Sequence, residues 1–414
     1  MNNHPERIAW VVLLASFFLC VGLAIGVPWL GRYVILHATK PQDVMLEVQR
    51  APLRVTIAGR GEPVAAGEHR DSIPERTVIA TDDTAGRLIA RVPEVDGPVL
   101  GEIQIYNDTE MALLTARCPF FSPSRLPNRI ALEIWAGRVR VDIDDLPQRS
   151  TIAQIRTPHG TFKLEQGTYD VEVGEGNSEV VVREGYARIA SHGLEYPVRA
   201  GQRVMLNEEE ITELGPAPSN LIANGGFQAP LTEGWNTYSR DVEFDSQPAG
   251  DVKRVEVGGD QAAVIARQGM GHAETGLEQS LNIDVSDFAV LELYVRLRIE
   301  DQSLPVCGAL GSECPVMLRI NYNDASGVAR EWLQGFYFRP DHNVPGNQPF
   351  CSTCSTRNEH IQVQQGMWYP YLSANLIPQL SQNGEGPTVI ESIAVYASGH
   401  SYQSTIAEVE LTGE

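Results

Sequence analysis

Hydrophobic positions follow two regimes along this chain. From Ile8 to Leu30 the residues read IAWVVLLASFFLCVGLAIGVPWL, twenty-three positions without a charge. About 20 apolar residues at 1.5 Å rise cover the roughly 30 Å hydrocarbon core of a bilayer, so the run predicts one membrane-spanning helix over 8–36. After it the periodicity changes to two. In Arg129–Ile143, Ile130, Leu132 and Ile134, then Val139, Val141 and Ile143, fall on one face, with Gly137 at the break where a turn or bulge costs least. The same alternation recurs at Thr161–Val173, Glu179–Arg183, Tyr186–Ala190 and Arg203–Leu206. Short strands with turn residues between them predict a mainly β body.

A cleaved signal peptide is the competing reading of the first segment. Signal peptides have 7–15 apolar residues and close on a small-x-small site. Here the run is longer and ends in Val27-Pro28-Trp29-Leu30-Gly31-Arg32, with Trp29 and Tyr33 suited to an interfacial belt. Cys20 lacks the small residues that a lipid-modified cysteine needs before it. The expectation is therefore a retained anchor at 8–36 behind a cytoplasmic tail at 1–7. Arg7, Arg32 and Lys40 flank the run too evenly to orient it. The cysteine-bearing β body places residues 37–414 outside the cytoplasm.

Ile155-Arg-Thr-Pro-His-Gly-Thr-Phe162, Gln166-Gly-Thr-Tyr-Asp-Val171, Val180-Val-Val-Arg-Glu-Gly185 and Val198-Arg-Ala-Gly-Gln-Arg-Val204 occur in that order. Together they resemble the FecR domain, with Tyr169 where phenylalanine is usual. Thr77–Leu88 is similar to that family's early strand. The resemblance implies a FecR-like β domain over 37–214. Members of that family pass a signal inward through a cytoplasmic helical tail. Met1–Arg7 is too short to be a folded regulator, so the resemblance implies only an exported β module that binds a partner.

Gly215–Ser219 reads as a short, stiff linker. Beyond it, Asn220-Leu-Ile-Ala-Asn-Gly-Gly-Phe-Gln228 with Gly234-Trp-Asn236, and the closing runs Ile390–Tyr396 and Thr405–Leu411, resemble carbohydrate-binding modules with the galactose-binding-like jelly roll. The resemblance implies a jelly-roll β-sandwich over 220–414. Gln228 stands where that family has the glutamate of a structural calcium site.

Charge narrows the function. Beyond residue 42 there are 29 basic and 52 acidic residues, a net −23, which repels phosphate backbones and excludes nucleic acid as a partner. No G-x-S-x-G, H-E-x-x-H, P-loop or G-x-G-x-x-G after a strand is present, so a non-enzyme is expected. The acidic runs Asp142–Asp145 and Glu208–Glu210 read as solvated strand ends.

Cys307, Cys314, Cys351 and Cys354 bracket a hairpin of Pro315–Tyr322, a turn at Asn323–Gly327, and Val328–Phe338. The loops at its open end emerge side by side, which brings all four thiols together. Two disulfides stapling the loops are expected, with three connectivities open. A four-cysteine zinc site is the alternative, in which His342 or His360 could replace a thiol. A structural calcium or zinc is thus the only cofactor class the residues leave open. Cys118 is left unpaired by this count, either a buried thiol or a link to a partner.

Leu291, Leu293, Val295, Leu297 and Ile299 point toward a core, as do Leu318, Ile320 and Tyr322. Tyr294, Arg296, Arg319 and Asn321 then point outward and are expected to share one ligand-binding face. Trp235, Trp332 and Trp368 read as core. The leading functional expectation is a membrane-anchored, extracytoplasmic, non-catalytic protein recognising a glycan or another envelope component. The alternative is an accessory or scaffold subunit of a larger membrane complex, contacting other subunits through its β domains.

Overall fold

The computed structural model describes residues 5–48, 53–57, 59–64, 69–82, 84–94, 97–191, 193–207, 210–257, 260–340, 349–381 and 386–413. The start of the tail, Glu208 and His342 lie outside these ranges.

The apolar run forms one helix, Pro5–His37, extending the expected 8–36 at both ends. It presents apolar side chains all round: Phe18 is 68% exposed, Ile25 67% and Trp29 68%. None of the 26-residue stretch Val12–His37 is buried against the protein, and it is long and apolar enough to cross a membrane, as a signal sequence near an N-terminus also can be. Trp29, Tyr33 and His37 stack at successive i,i+4 positions, with ring centroids 6.1 and 4.3 Å apart.

Among the described residues of 39–216 the only regular elements are strands, in two sheets that share Asn128–Ile143 and close on each other. This strand runs 16 residues without stopping, where the sequence suggested a break. Its first half pairs with Glu110–Pro119 and its second with Val99–Ile105 and Gly167–Val173. Gly137 sits at the crossover with φ +90°, and an added Cβ would lie 2.5 Å from the Asp108 carbonyl oxygen, so only glycine fits. The expected strand Thr161–Val173 is two, Gly160–Leu164 and Gly167–Val173. One core of aliphatic residues from both sheets, with Phe162 and Tyr169, fills this proximal domain. Gly215 and Pro216, expected in the linker, still pair with Arg203 and Gln202.

The distal domain is a two-sheet sandwich with its own core, which includes Phe227, Trp235, Trp332 and Tyr322. The first sheet orders Asp251–Val257, Asp260–Arg267, Tyr402–Gly413, Leu291–Gln302 and Tyr369–Leu372. The second orders Asn236–Arg240, Ala273–Asp284, Pro387–Gly399, Val316–Asp324, Ala329–Tyr337 and Ile361–Gln362. The expected inward residues of Leu291–Gln302 and Val316–Asp324 all lie in this core. The two strands belong to opposite sheets.

Candidate binding site

That separation divides the expected ligand face. Tyr294 and Arg296 lie on the outer side of the first sheet, Arg319 and Asn321 on the outer side of the second. Alternation with period two reports which residues leave the core, and a sandwich has two outsides.

The first outside is covered by the proximal domain. Arg140, on the shared strand, is 3% exposed and reaches three carboxylates: Nε donates to Asp170 (3.1 Å), Nη1 to Glu408 (3.4 Å) and Nη2 to Glu410 (2.6 Å). Its guanidinium lies 4.5 Å from the Tyr294 ring centre, and Tyr294 is 5% exposed. Arg183 bridges Asp170 (2.5 Å) and Glu410 (3.4 Å); Arg138 pairs with Glu292 (3.2 Å) and Arg296 with Glu102 (3.3 Å). Tyr294 and Arg296 thus both contact the proximal domain. Beside them opens a cleft of about 680 Å³, where Arg87 pairs with Glu102 and with Glu47. Trp368, expected in the core, lines this cleft under the guanidinium groups of Arg296 (5.0 Å) and Arg298 (4.8 Å).

Burial sets the protonation of this interface. Asp142, expected to be solvated, is pushed up to about 6 by desolvation, against the pull of Arg140 and the Thr168 hydroxyl that donates to it. Burial likewise raises Glu408, while the cations around Asp170 hold it below its usual range despite burial. A carboxyl raised in the folded state stabilises that state below its unfolded pKa, and the gain is lost as pH rises through the folded value. Asp142 should therefore cost stability between pH 4 and 6. Thermal unfolding of Asp142→Asn is expected to show a flatter pH profile over that window than the parent; identical profiles would refute the assignment.

The second outside carries Arg319 and Asn321. Glu274 accepts from Arg319 Nη1 and Nη2, both at 3.2 Å, from the Tyr238 hydroxyl (2.8 Å) and from Arg240 (2.7 Å). Arg319 lies 4.2 Å from the Tyr396 ring centre, and Arg240 4.7 Å from that of Tyr238. Asn321 donates to Ser392 Oγ (2.9 Å), which donates to Glu278 (2.9 Å). Only the ordering of these groups by one another was hidden in the sequence, because Glu274, Tyr238 and Tyr396 come from three other strands.

The remainder of this face is roofed by the two cysteine loops, over Met317, Leu333, Tyr337, Ala394 and Tyr396. The loops do lie together: the Ser352 N–H donates to the Leu310 carbonyl oxygen (2.9 Å). The disulfides are Cys307–Cys314 and Cys351–Cys354, each closing its own loop and so not stapling one loop to the other. Buried His360 lies beside the first pair, within the reach that a zinc site would need, but both of those sulfurs are joined. Its Nδ1 accepts from the Gly335 N–H (3.1 Å) and its Nε2 faces the Gly311 carbonyl oxygen (2.7 Å). Cys118 is a buried free thiol. Gln228 donates to the Gly226 carbonyl oxygen (3.4 Å).

No family model matches the chain, and no curated protein does. Among solved structures, a candidate anti-sigma factor from Parabacteroides distasonis is similar at 15% identity and TM-score 0.24, over 34% of this chain; this chain spans 59% of that one. The family 11 carbohydrate-binding module of the cellulosomal cellulase Lic26A-Cel5E of Clostridium thermocellum is similar at 11% identity and TM-score 0.28, over 48% of this chain and 96% of the module. The module TmCBM61, solved with β-1,4-galactotriose, is similar at 14% identity and TM-score 0.25, over 47% of this chain and 99% of the module.

Proposed function

We propose that this chain is a membrane-anchored, extracytoplasmic recognition protein without catalytic activity, which holds a hydroxyl-rich ligand of the glycan class on the outer face of its second distal sheet. The observation that carries the reading is the clamped Arg319. Both terminal nitrogens are fixed by Glu274 and the plane is fixed over Tyr396, so little side-chain entropy remains to be lost on binding. Around it stand Tyr238, Arg240, Asn321 and Glu331, partly accessible donors and acceptors on one surface. Paired guanidinium and carboxylate groups suit adjacent hydroxyls, and aromatic rings suit the apolar faces of sugars. The apolar helix supports anchoring, and the two disulfides support an oxidising compartment.

The test is retention of the whole detergent-solubilised chain on immobilised envelope polysaccharides. Arg319→Ala should weaken retention about ten- to hundredfold, the loss of one charge-assisted contact of about 1.5–3 kcal/mol. Asn321→Ala should weaken it less and melt close to the parent, whereas Arg319→Ala also takes the two-point partner from Glu274 and should melt lower; Arg319→Lys, which keeps the charge, separates lost binding from lost stability. Equal retention by the parent and both alanine variants, or none by the parent, would refute the reading. The accessory-subunit reading draws on a different observation, the use of the first sheet's outer face as a domain interface. It expects a stoichiometric membrane partner to accompany the chain through mild-detergent purification.

A further inference from the structure

The helix does not leave the proximal domain freely. The Phe120 N–H donates to the Ala38 carbonyl oxygen (2.9 Å), and the Ser124 hydroxyl donates to that of Leu36 (2.6 Å), the last turn of the helix. Arg149 holds the same loop from behind, donating to the carbonyl oxygens of Ser124 (3.0 Å), Leu126 (2.6 Å) and Ser122 (3.3 Å). Between helix and loop lies an open groove of about 1070 Å³. Its walls are apolar, from Pro28, Ile35, Leu36, Pro123 and Leu126, and its charged members are Arg32 and Arg125, both exposed. No carboxylate lines it, in a body with a net charge of −23. Phe120 stands 56% exposed on the same loop, edge-on to Phe121 at 4.8 Å.

The depth of this groove follows from the helix. Starting at Ile8, about 20 residues cross the hydrocarbon core and end near Val27, so Pro28–His37 rises about 15 Å, through a headgroup layer about 5–8 Å deep and beyond it. Trp29 and Tyr33 then occupy the interfacial belt, and the groove opens at the same level. A groove with apolar walls and two guanidinium groups fits one molecule of that layer: its phosphate meets Arg32 and Arg125, and its acyl chains pass Pro28 into the hydrocarbon core. We propose that the groove between the end of the helix and the loop 120–126 binds an anionic phospholipid of the surrounding leaflet. The bound lipid joins the proximal domain to the bilayer surface at a point separate from the helix backbone. The proposal rests on the helix being a retained membrane anchor.

The probe is phosphatidylglycerol. The full chain is reconstituted in vesicles containing phosphatidylglycerol and phosphatidylcholine, extracted in mild detergent, and its retained lipid counted by native mass spectrometry. The parent should keep one phosphatidylglycerol in preference to phosphatidylcholine. The double variant Arg32→Gln/Arg125→Gln should reduce that retention about tenfold or more while still floating with the vesicles. Equal retention by parent and variant, or no preference by the parent, overturns the proposal while leaving the anchor intact. A parent chain that does not float overturns the anchor reading and the proposal with it. A lipid-free oligomer whose helices close the groove assigns the surface to a second copy and overturns the proposal as well.

Discussion

Arg140→Ala should cost about 3–5 kcal/mol and split the unfolding transition in two. The substitution leaves Asp170 and Glu410 desolvated with Arg183 as their remaining paired cation and takes from Glu408 the guanidinium that reaches it, and an uncompensated buried charge is among the most expensive single changes a protein can suffer. It also removes the guanidinium from the Tyr294 ring. Because these contacts cross between domains that have separate cores, their loss should uncouple the domains, with each core otherwise untouched. Calorimetry is the measurement. Two resolved transitions in place of one support the interface, and Arg140→Lys, which keeps the charge but not the fork, should fall between. A single transition at the parent's temperature would show that the network contributes nothing to docking.

Gly225→Ala should destabilise the distal sandwich by about 2–3 kcal/mol, as expected when a methyl is forced into packed backbone. A Cβ at Gly225 would sit 2.0 Å from the Val409 carbonyl oxygen, and the Val409 N–H donates to Gly225 O (3.0 Å), so neither the turn nor the closing strand can withdraw without losing that bond. Gly226 supplies the control, since nothing lies within 4 Å of the Cβ it would gain. Thermal unfolding should place Gly226→Ala near the parent and Gly225→Ala well below it. Equal melting temperatures would mean that the closing strand shifts at no cost.

That latch explains why the opening motif was legible. Asn220 Oδ1 accepts from Ile222 and from Leu411, Asn224 ties the turn to Ala229 and Pro230, and the Trp235 indole donates to the Asn224 carbonyl oxygen. Its asparagines, glycine and tryptophan therefore fasten the first strand to the last, a structural duty distinct from ligand contact. Inward and outward residues were legible for the same kind of reason, since a buried strand face must be apolar at every second position. Strand partnership was not. Leu291–Gln302 pairs with Tyr402–Gly413, and Val316–Asp324 with Pro387–Gly399, across 63 to 122 residues, and no local pattern reports such distant pairing. Tyr294 and Arg319 thus looked alike in sequence and lie on opposite sides of the molecule. Trp368 escaped for another reason: it sits outside any strand, where period two says nothing.

The shared strand Asn128–Ile143 has a mechanical consequence. Near one end, Arg129 pairs with Arg117, whose strand also pairs with Thr39–Pro41 directly after the helix. Toward the other end, Arg138 and Arg140 grip the distal sandwich. At about 3.3 Å per residue, these 16 positions form a strut of roughly 50 Å. A load on the sandwich reaches the end of the apolar helix through this strand's backbone and its hydrogen-bond ladders. On the proposed anchoring, the proposed ligand face would be held at one height and heading, in contrast to a ball on a tether, which samples a sphere. For a target in the same membrane, such a mount gives high effective concentration where the geometry matches and almost none where it does not.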